Sequence, residues 1–310
     1  MAYLLALVAA ALFGVGASVQ QRVAAEAPDE SVLHLSLLWY LVRQPLWLVG
    51  VATALIGNLF AGSALGMGGV ALVQPLLVAR LIFALPLAAR WNRRSLHRRE
   101  WLGAVAVIAG LAAFMVAGRP SPGENGVDSD GSVPRWLLTG GTVAAITAGL
   151  VLIARRLRPN SEAPVLGAGA GMLFALQSGL TSMAVSRFGR DGLLALLTTW
   201  PTYAVVGTAV AGTLLAQSAY KLAPLPASYP PLAATEPLAG IAIGLSLLGG
   251  TLVVTPAAVA VQALGLAVMT VGVFVLASSS LVTGAHHTTG RPTPDDATVE
   301  AHQEERRSGS

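Results

Sequence analysis

Apolar runs close to or beyond the length of a bilayer crossing follow one another almost without pause, at roughly 2–19, 46–66, 69–90, 101–118, 136–154, 163–186, 192–216, 223–247 and 254–278. Each run is continuous, whereas the strands of a closed barrel alternate apolar and polar residues, so a barrel is not expected. A helix crosses the hydrocarbon with ~20 apolar residues. At 54% hydrophobic and 11% charged residues, the chain also carries too little charge to cover a water-soluble domain of 310 residues. The fold class expected is an all-α polytopic membrane protein of about ten helices, nine clear and one short. The short stretch, "SVLHLSLLWYLVR" at 31–43, is cut off by Pro45 and is either a tenth crossing or an interfacial helix. The first segment, "MAYLLALVAAALFGVGASVQQR", lacks a basic leader and reads as a first membrane helix, with a cleaved signal peptide as the alternative.

Charge sits at the ends of the runs. "RWNRRSLHRRE" at 90–100 and "RRLRPNSE" at 155–162 are Arg-rich, while "SPGENGVDSDGSVP" at 121–134 is acidic. The positive-inside rule places the first two in the cytoplasm and the third outside. Crossings counted from there put the C-terminus inside, and the N-terminus outside for nine helices or inside for ten. "RFGRDG" at 187–192 carries two Arg on the outer side, against the rule. These cations are topology signals before they are a nucleic-acid footprint, and none is expected to bind nucleic acid. The absence of cysteine excludes disulfides and thiol chemistry.

The sequence also repeats itself. "GNLFAGSA" at 57–64 matches "GTLLAQSA" at 212–219, and the same offset lays "VQPL" at 73–76 over "SYPP" at 228–231. "GAVAVIAGLAAFMVA" from Gly103 resembles "GLAVMTVGVFVLAS" from Gly265, each with a second glycine seven residues on. Glycines at that spacing share one helix face and permit close backbone packing. The division expected is a first transmembrane repeat at 1–118, an extracytoplasmic loop at 119–134, a second repeat at 135–283 and a disordered cytoplasmic tail at 284–310. If each half has an odd number of helices the halves are inverted, which is a carrier architecture with substrate at the midplane.

The stretches "SAYKLAPLPASYPPLAATEPLAGIAIG" at 218–244 and "QALGLAVMTVGVFVLA" at 262–277 resemble the EamA-type repeat of the drug/metabolite transporter superfamily. "YLVRQPLWLVGVATALIGNLFAGSALGMGGVALVQPL" at 40–76 is similar to the NIPA-type magnesium transporters. The resemblance implies a ten-helix carrier with two five-helix halves, its fourth and ninth helices lining a central cavity. It also has departures. Asn58 follows Gly57 where the NIPA-type helix has an acidic residue, and "LLGG" at 247–250 replaces the Glu that often ends the EamA-type ninth helix.

Two charges lie well inside apolar spans, Arg80 and Glu236. Arg80 is about ten residues, or ~15 Å, from either end of its run, too far to snorkel to the headgroups. It requires a partner or a watery cavity. Under the repeat offset Arg80 falls on Thr235, so Glu236 lies at the equivalent depth of the matching helix. The two are expected to face one cavity as an ion pair, either as a static clamp or as part of substrate or proton binding. Gln74 and Tyr229 are repeat-equivalent, each preceding a proline, Pro75 or Pro230, that acts as a hinge or a plain kink. Asn58, Gln177, Tyr203 and Gln217 complete the candidate substrate-binding set, with helix-to-helix hydrogen bonding as the competing reading. Gln20, Gln21 and Arg22 end the first helix as a gate or an interfacial cap. No metal site or cofactor is expected, since every histidine lies outside the clear spans and no phosphate-binding glycine motif occurs.

The function expected is a secondary carrier of the cytoplasmic membrane, not an enzyme, moving a small polar or amphipathic metabolite by alternating access with proton coupling or exchange. A NIPA-like magnesium or divalent-cation transporter is the first alternative; Arg80 beside Glu236 would oppose a dication. A non-transporting membrane assembly subunit is the second. Expected partners are the substrate and the lipid bilayer, with a homodimer among the assemblies open to it.

Overall fold

The computed structural model describes residues 1–28, 31–68, 70–91, 95–121, 133–192, 198–247 and 250–278. Most of the acidic loop, Leu248 and Gly249 of the "LLGG" stretch, and the whole polar tail lie outside the described residues. Eleven helices occupy those residues: α1 (Ala2–Ala25), α2 (Leu35–Val42), α3 (Pro45–Gly68), α4 (Val70–Val78), α5 (Arg80–Trp91), α6 (Arg98–Gly118), α7 (Val133–Ala154), α8 (Pro159–Asp191), α9 (Trp200–Leu222), α10 (Leu225–Leu247) and α11 (Pro256–Ala277). Seven spans are long and apolar enough to cross a membrane: α1, most of α3, Val73–Trp91 across α4 and α5, α6, α7, Ser161–Ala184 within α8, and α11. The chain is a multi-pass helical membrane protein. Helices α9 and α10 have the length, at 23 residues each, but are richer in small and polar residues. Helix α2 has eight residues, about 12 Å of rise, and cannot cross a bilayer.

Burial is distributed as a bilayer solvent requires. Leu55 and Leu59 of α3, Leu137, Leu138 and Leu152 of α7, and Leu264 and Phe274 of α11 are exposed apolar side chains on the outside of the bundle. In water such a belt would be unstable; against acyl chains it is matched. Helix α10 is the innermost element, with every residue from Leu225 to Ala234 buried.

Close helix crossings are made by glycine. Helices α6 and α11 run antiparallel, with Gly103 against Gly272 and Gly110 against Gly265. A Cβ added at Gly110 would lie 2.5 Å from the Gly265 carbonyl oxygen, and one at Gly265 would lie 2.6 Å from that of Gly110. The contact is therefore reciprocal, and dispersion between backbones replaces the hydrophobic effect that lipid cannot supply. A second correspondence joins distant pairs. Gly57 of α3 packs on Phe13 and Leu12 of α1, and Gly212 of α9 packs on Phe174 and Leu173 of α8.

The helices bring two sets of loops to opposite ends. Arg22 lies over the Trp91 ring at 5.4 Å, and Arg99 donates to Ser278 Oγ at 3.2 Å; this is the basic end. At the other end Ser121 and Thr251 form a backbone bridge, and Gln262 Nε2 donates to the Val253 carbonyl at 2.8 Å.

Candidate functional site

One proline-bearing span is interrupted where it matters. The backbone of α4 tightens at Ala79, whose N–H reaches Leu76 O at 3.1 Å while Ile82 N reaches Ala79 O at 2.8 Å. Helix α5 then begins on Arg80. The interruption falls at Ala79, immediately before Arg80, and not at Pro75, which lies inside α4. Helix α10 runs through Pro230, Pro231 and Pro237 as one element.

Arg80 is held from two helices. Helix α1 comes so close that a Cβ at Gly14 would stand 2.6 Å from the Arg80 carbonyl oxygen, and the neighbouring Phe13 ring lies 5.9 Å from the guanidinium carbon. From α10 the Tyr229 ring approaches to 5.4 Å. Arg80 Nη2 donates to Glu236 Oε2 at 2.8 Å and to the Ala233 carbonyl at 3.5 Å. That carbonyl is available because Pro237, four residues on, has no N–H to return to it. Arg80 Nε has no partner among the described residues.

The pair is asymmetric. The Arg80 side chain is 11% exposed and that of Glu236 31%. Glu236 lines a cavity of about 270 Å³ together with Gln74, Met115, Ser121, Ser178 and Gly244. Since Ser121 and Gly244 belong to the end opposite the basic one, the cavity extends from Glu236 toward that end. The cation is thus set back behind the carboxylate that meets the cavity, and is neutralised by it.

Toward the basic end the space below the pair is filled by polar contacts between α1 and α9. Gln217 Nε2 donates to Gln20 Oε1 at 2.6 Å, Gln21 Nε2 to the Tyr220 carbonyl at 3.4 Å, and Lys221 Nζ to the Ala27 carbonyl. Beside them Leu33, just before α2, donates its N–H to Ser218 Oγ at 3.0 Å. Tyr220 meets Tyr229 edge to face, centroids 6.2 Å apart.

Arg80, Glu236, Gln74 and Tyr229 are therefore brought together, with Pro75 on the same α4 turn as Gln74 and Pro230 beside Tyr229. Gln217 belongs to the polar contacts at the basic end, with Gln20 and Gln21. Gln177 is half-buried on α8 with its Oε1 unbonded among the described residues. Asn58 and Tyr203 are exposed on outer faces; Asn58 Nδ2 bonds the Ala54 carbonyl of its own helix at 3.0 Å, and Tyr203 is 65% exposed. Neither lines the cavity. Sequence reasoning passed over Phe13, Tyr220, Ser178 and Pro237. The readable signal for Pro237 was a proline four residues after a carbonyl at the depth of Arg80.

No family model matches the chain, and no solved structure matches it. A protein of Corynebacterium glutamicum, described as uncharacterized, is 32% identical to it over 249 residues, which cover 80% of this chain and 85% of that protein. Identity of that extent, over most of both lengths, places the chain in the same family as the corynebacterial protein.

Proposed function

We propose that the chain is a secondary carrier that moves a small polar or amphipathic metabolite across the cytoplasmic membrane by alternating access, driven by proton coupling or exchange. The observation that carries this reading is the Arg80–Glu236 pair: two charges deep in an apolar bundle, joining α5 to α10, with the carboxylate open to a cavity. Charges at that depth are costly and mark substrate, ion or proton pathways.

The halves are read as inverted repeats. In this reading α1, α3, α4 with α5, and α6 correspond to α8, α9, α10 and α11, and α7 has no counterpart. Nine crossings result, because α9 and α10 join the seven apolar spans and α2 lies at the interface. Its support is the reciprocal glycine contact of α6 with α11 and the matching Gly57–Phe13 and Gly212–Phe174 contacts. Such an arrangement fits the drug/metabolite transporter resemblance. With Arg22, Arg99, Arg155, Arg156 and Arg158 at the basic end, that end and the C-terminus face the cytoplasm.

A magnesium carrier fits less well. Asn58 is turned away from the cavity, and the carboxylate that lines it is already paired with a guanidinium, whose charge repels a dication.

Reconstitution into liposomes tests the proposal, one assay following magnesium entry with an internal dye and the other following proton movement as metabolite pools are offered. Proton-linked or exchange flux of a metabolite is expected. Magnesium entry without a metabolite-dependent signal would overturn it.

A further inference from the structure

The cavity reaches from Glu236 toward the end opposite the basic one, and on the side of the basic end polar contacts fill the space. Between Glu236 and the basic end runs an unbroken series of contacts: Glu236 to Arg80 at 2.8 Å, Arg80 to the Tyr229 ring at 5.4 Å, Tyr229 to Tyr220 at 6.2 Å, and the Tyr220 carbonyl to Gln21 at 3.4 Å. Gln217, three residues before Tyr220 on α9, makes the 2.6 Å bond to Gln20. These contacts join α1 and α5 to α9 and α10, so no single helix carries both ends of the series.

We infer that the Gln20–Gln217 and Gln21–Tyr220 contacts are the inner gate of the cavity, and that Arg80, through Tyr229 and Tyr220, ties the closure of that gate to the state of Glu236. The inference rests on the carrier reading and names how its two ends communicate. Arg80 is suited to the task because it meets both sides at once. Its guanidinium is anchored to α10 by Glu236 and the Ala233 carbonyl, while its backbone is pressed on α1 at Gly14, one turn and a half before Gln20. A substrate group that engages the cavity-facing oxygens of Glu236 competes with the ion pair. Weakening that pair frees the guanidinium from the Tyr229 face, and the Tyr229–Tyr220 packing that backs the Gln21 contact loses its support. Coupling of this kind needs a physical element that both sites bias, and the cross-helix ion pair is one.

The chain has no cysteine, so one introduced thiol reports unambiguously. Ala17 is buried and lies on α1 one turn after Phe13 and just before Gln20 and Gln21. Ala17→Cys is placed in the otherwise unaltered full chain, in inverted vesicles, and its rate of modification by a membrane-impermeant maleimide is measured from the basic side. Slow labelling is expected, rising at least about tenfold, equivalent to 1.4 kcal/mol of gate opening, when Gln217→Ala, Tyr229→Leu or Arg80→Gln is added. In the Arg80→Gln/Tyr229→Leu double variant the rate should be no higher than in the faster single variant, because Arg80 acts on the gate through Tyr229. Multiplied rates in the double variant, or a rate unchanged by Arg80→Gln, would overturn the link. Fast labelling without any further substitution would overturn the gate itself. Arg80→Lys, which keeps the cation without the planar fork, guards against misfolding of the Gln variant and should give an intermediate rate. Labelling that responds as expected in a chain that moves no metabolite in liposomes separates failure of the carrier reading from failure of the gate.

Discussion

At the scale of single residues, Arg80 and Glu236 are not equivalent partners. A carboxylate left alone in an apolar wall can be neutralised by a proton, whereas a guanidinium cannot shed its own. Removing the carboxylate therefore leaves a buried charge with nothing to cancel it, at a cost of ~3–5 kcal/mol. Glu236→Gln is expected to lower the melting temperature in detergent more than Arg80→Gln does, and a reversed order would count against the geometry of the pair. Both Arg80→Ala and Glu236→Gln should abolish flux in proteins that remain monodisperse; wild-type flux in both would remove the pair from the mechanism. Arg80 and Glu236 were legible because the repeat offset places them at one depth. Asn58 shows the limit. Whether a polar side chain on a helix that is apolar all round meets lipid or a cavity depends on rotation about the helix axis, and neighbours set that rotation.

At the scale of elements, the α6–α11 crossing is the most constrained. Gly110→Ala puts a methyl group where the Gly265 carbonyl oxygen stands 2.5 Å away and Met269 N 2.6 Å away. It should destabilise the protein by about 1–3 kcal/mol, the cost of an overpacked contact. Gly62→Ala on α3 meets nothing within 4 Å and should be neutral or stabilising, by up to ~1 kcal/mol of helix propensity. Thermal unfolding of the two variants side by side checks both expectations; equal effects would mean that α6 and α11 do not cross at these glycines. The sequence made the seven-residue glycine spacing visible but not its partner, since a small-residue face only states that some backbone comes near. The break at Ala79 was not legible either. Proline positions pointed to Pro75 and Pro230, yet the ladder tightens beside Arg80, and α10 runs through Pro230, Pro231 and Pro237, with Arg80 donating to the Ala233 carbonyl that Pro237 leaves free.

At the scale of the whole molecule, the end opposite the basic one is tied across by a contact between the segment after α6 and the segment before α11. The Ser121 and Thr251 hydroxyl oxygens lie 3.0 Å apart, and Ser121 lines the cavity. A Ser121→Cys/Thr251→Cys pair should form a disulfide under mild oxidation and arrest flux by at least ~10-fold, reversibly with reductant, since locking one end stops a cycle that opens both. Undiminished flux in the cross-linked protein would contradict alternating access through this cavity. Reporter fusions should place both the C-terminus and the 155–158 segment in the cytoplasm. Sequence alone determined that this chain is a bundle of membrane helices and which two charges its interior must reconcile, because hydropathy and charge are properties of composition and spacing along the chain. Which face of each helix turns inward, that Arg80 meets the Ala233 carbonyl left free by Pro237, and that Gln20 meets Gln217 were decided only by tertiary packing. In apolar, glycine-rich helices no amphipathic stripe marks the inner face, so rotation and pairing are fixed by contacts between residues far apart in sequence.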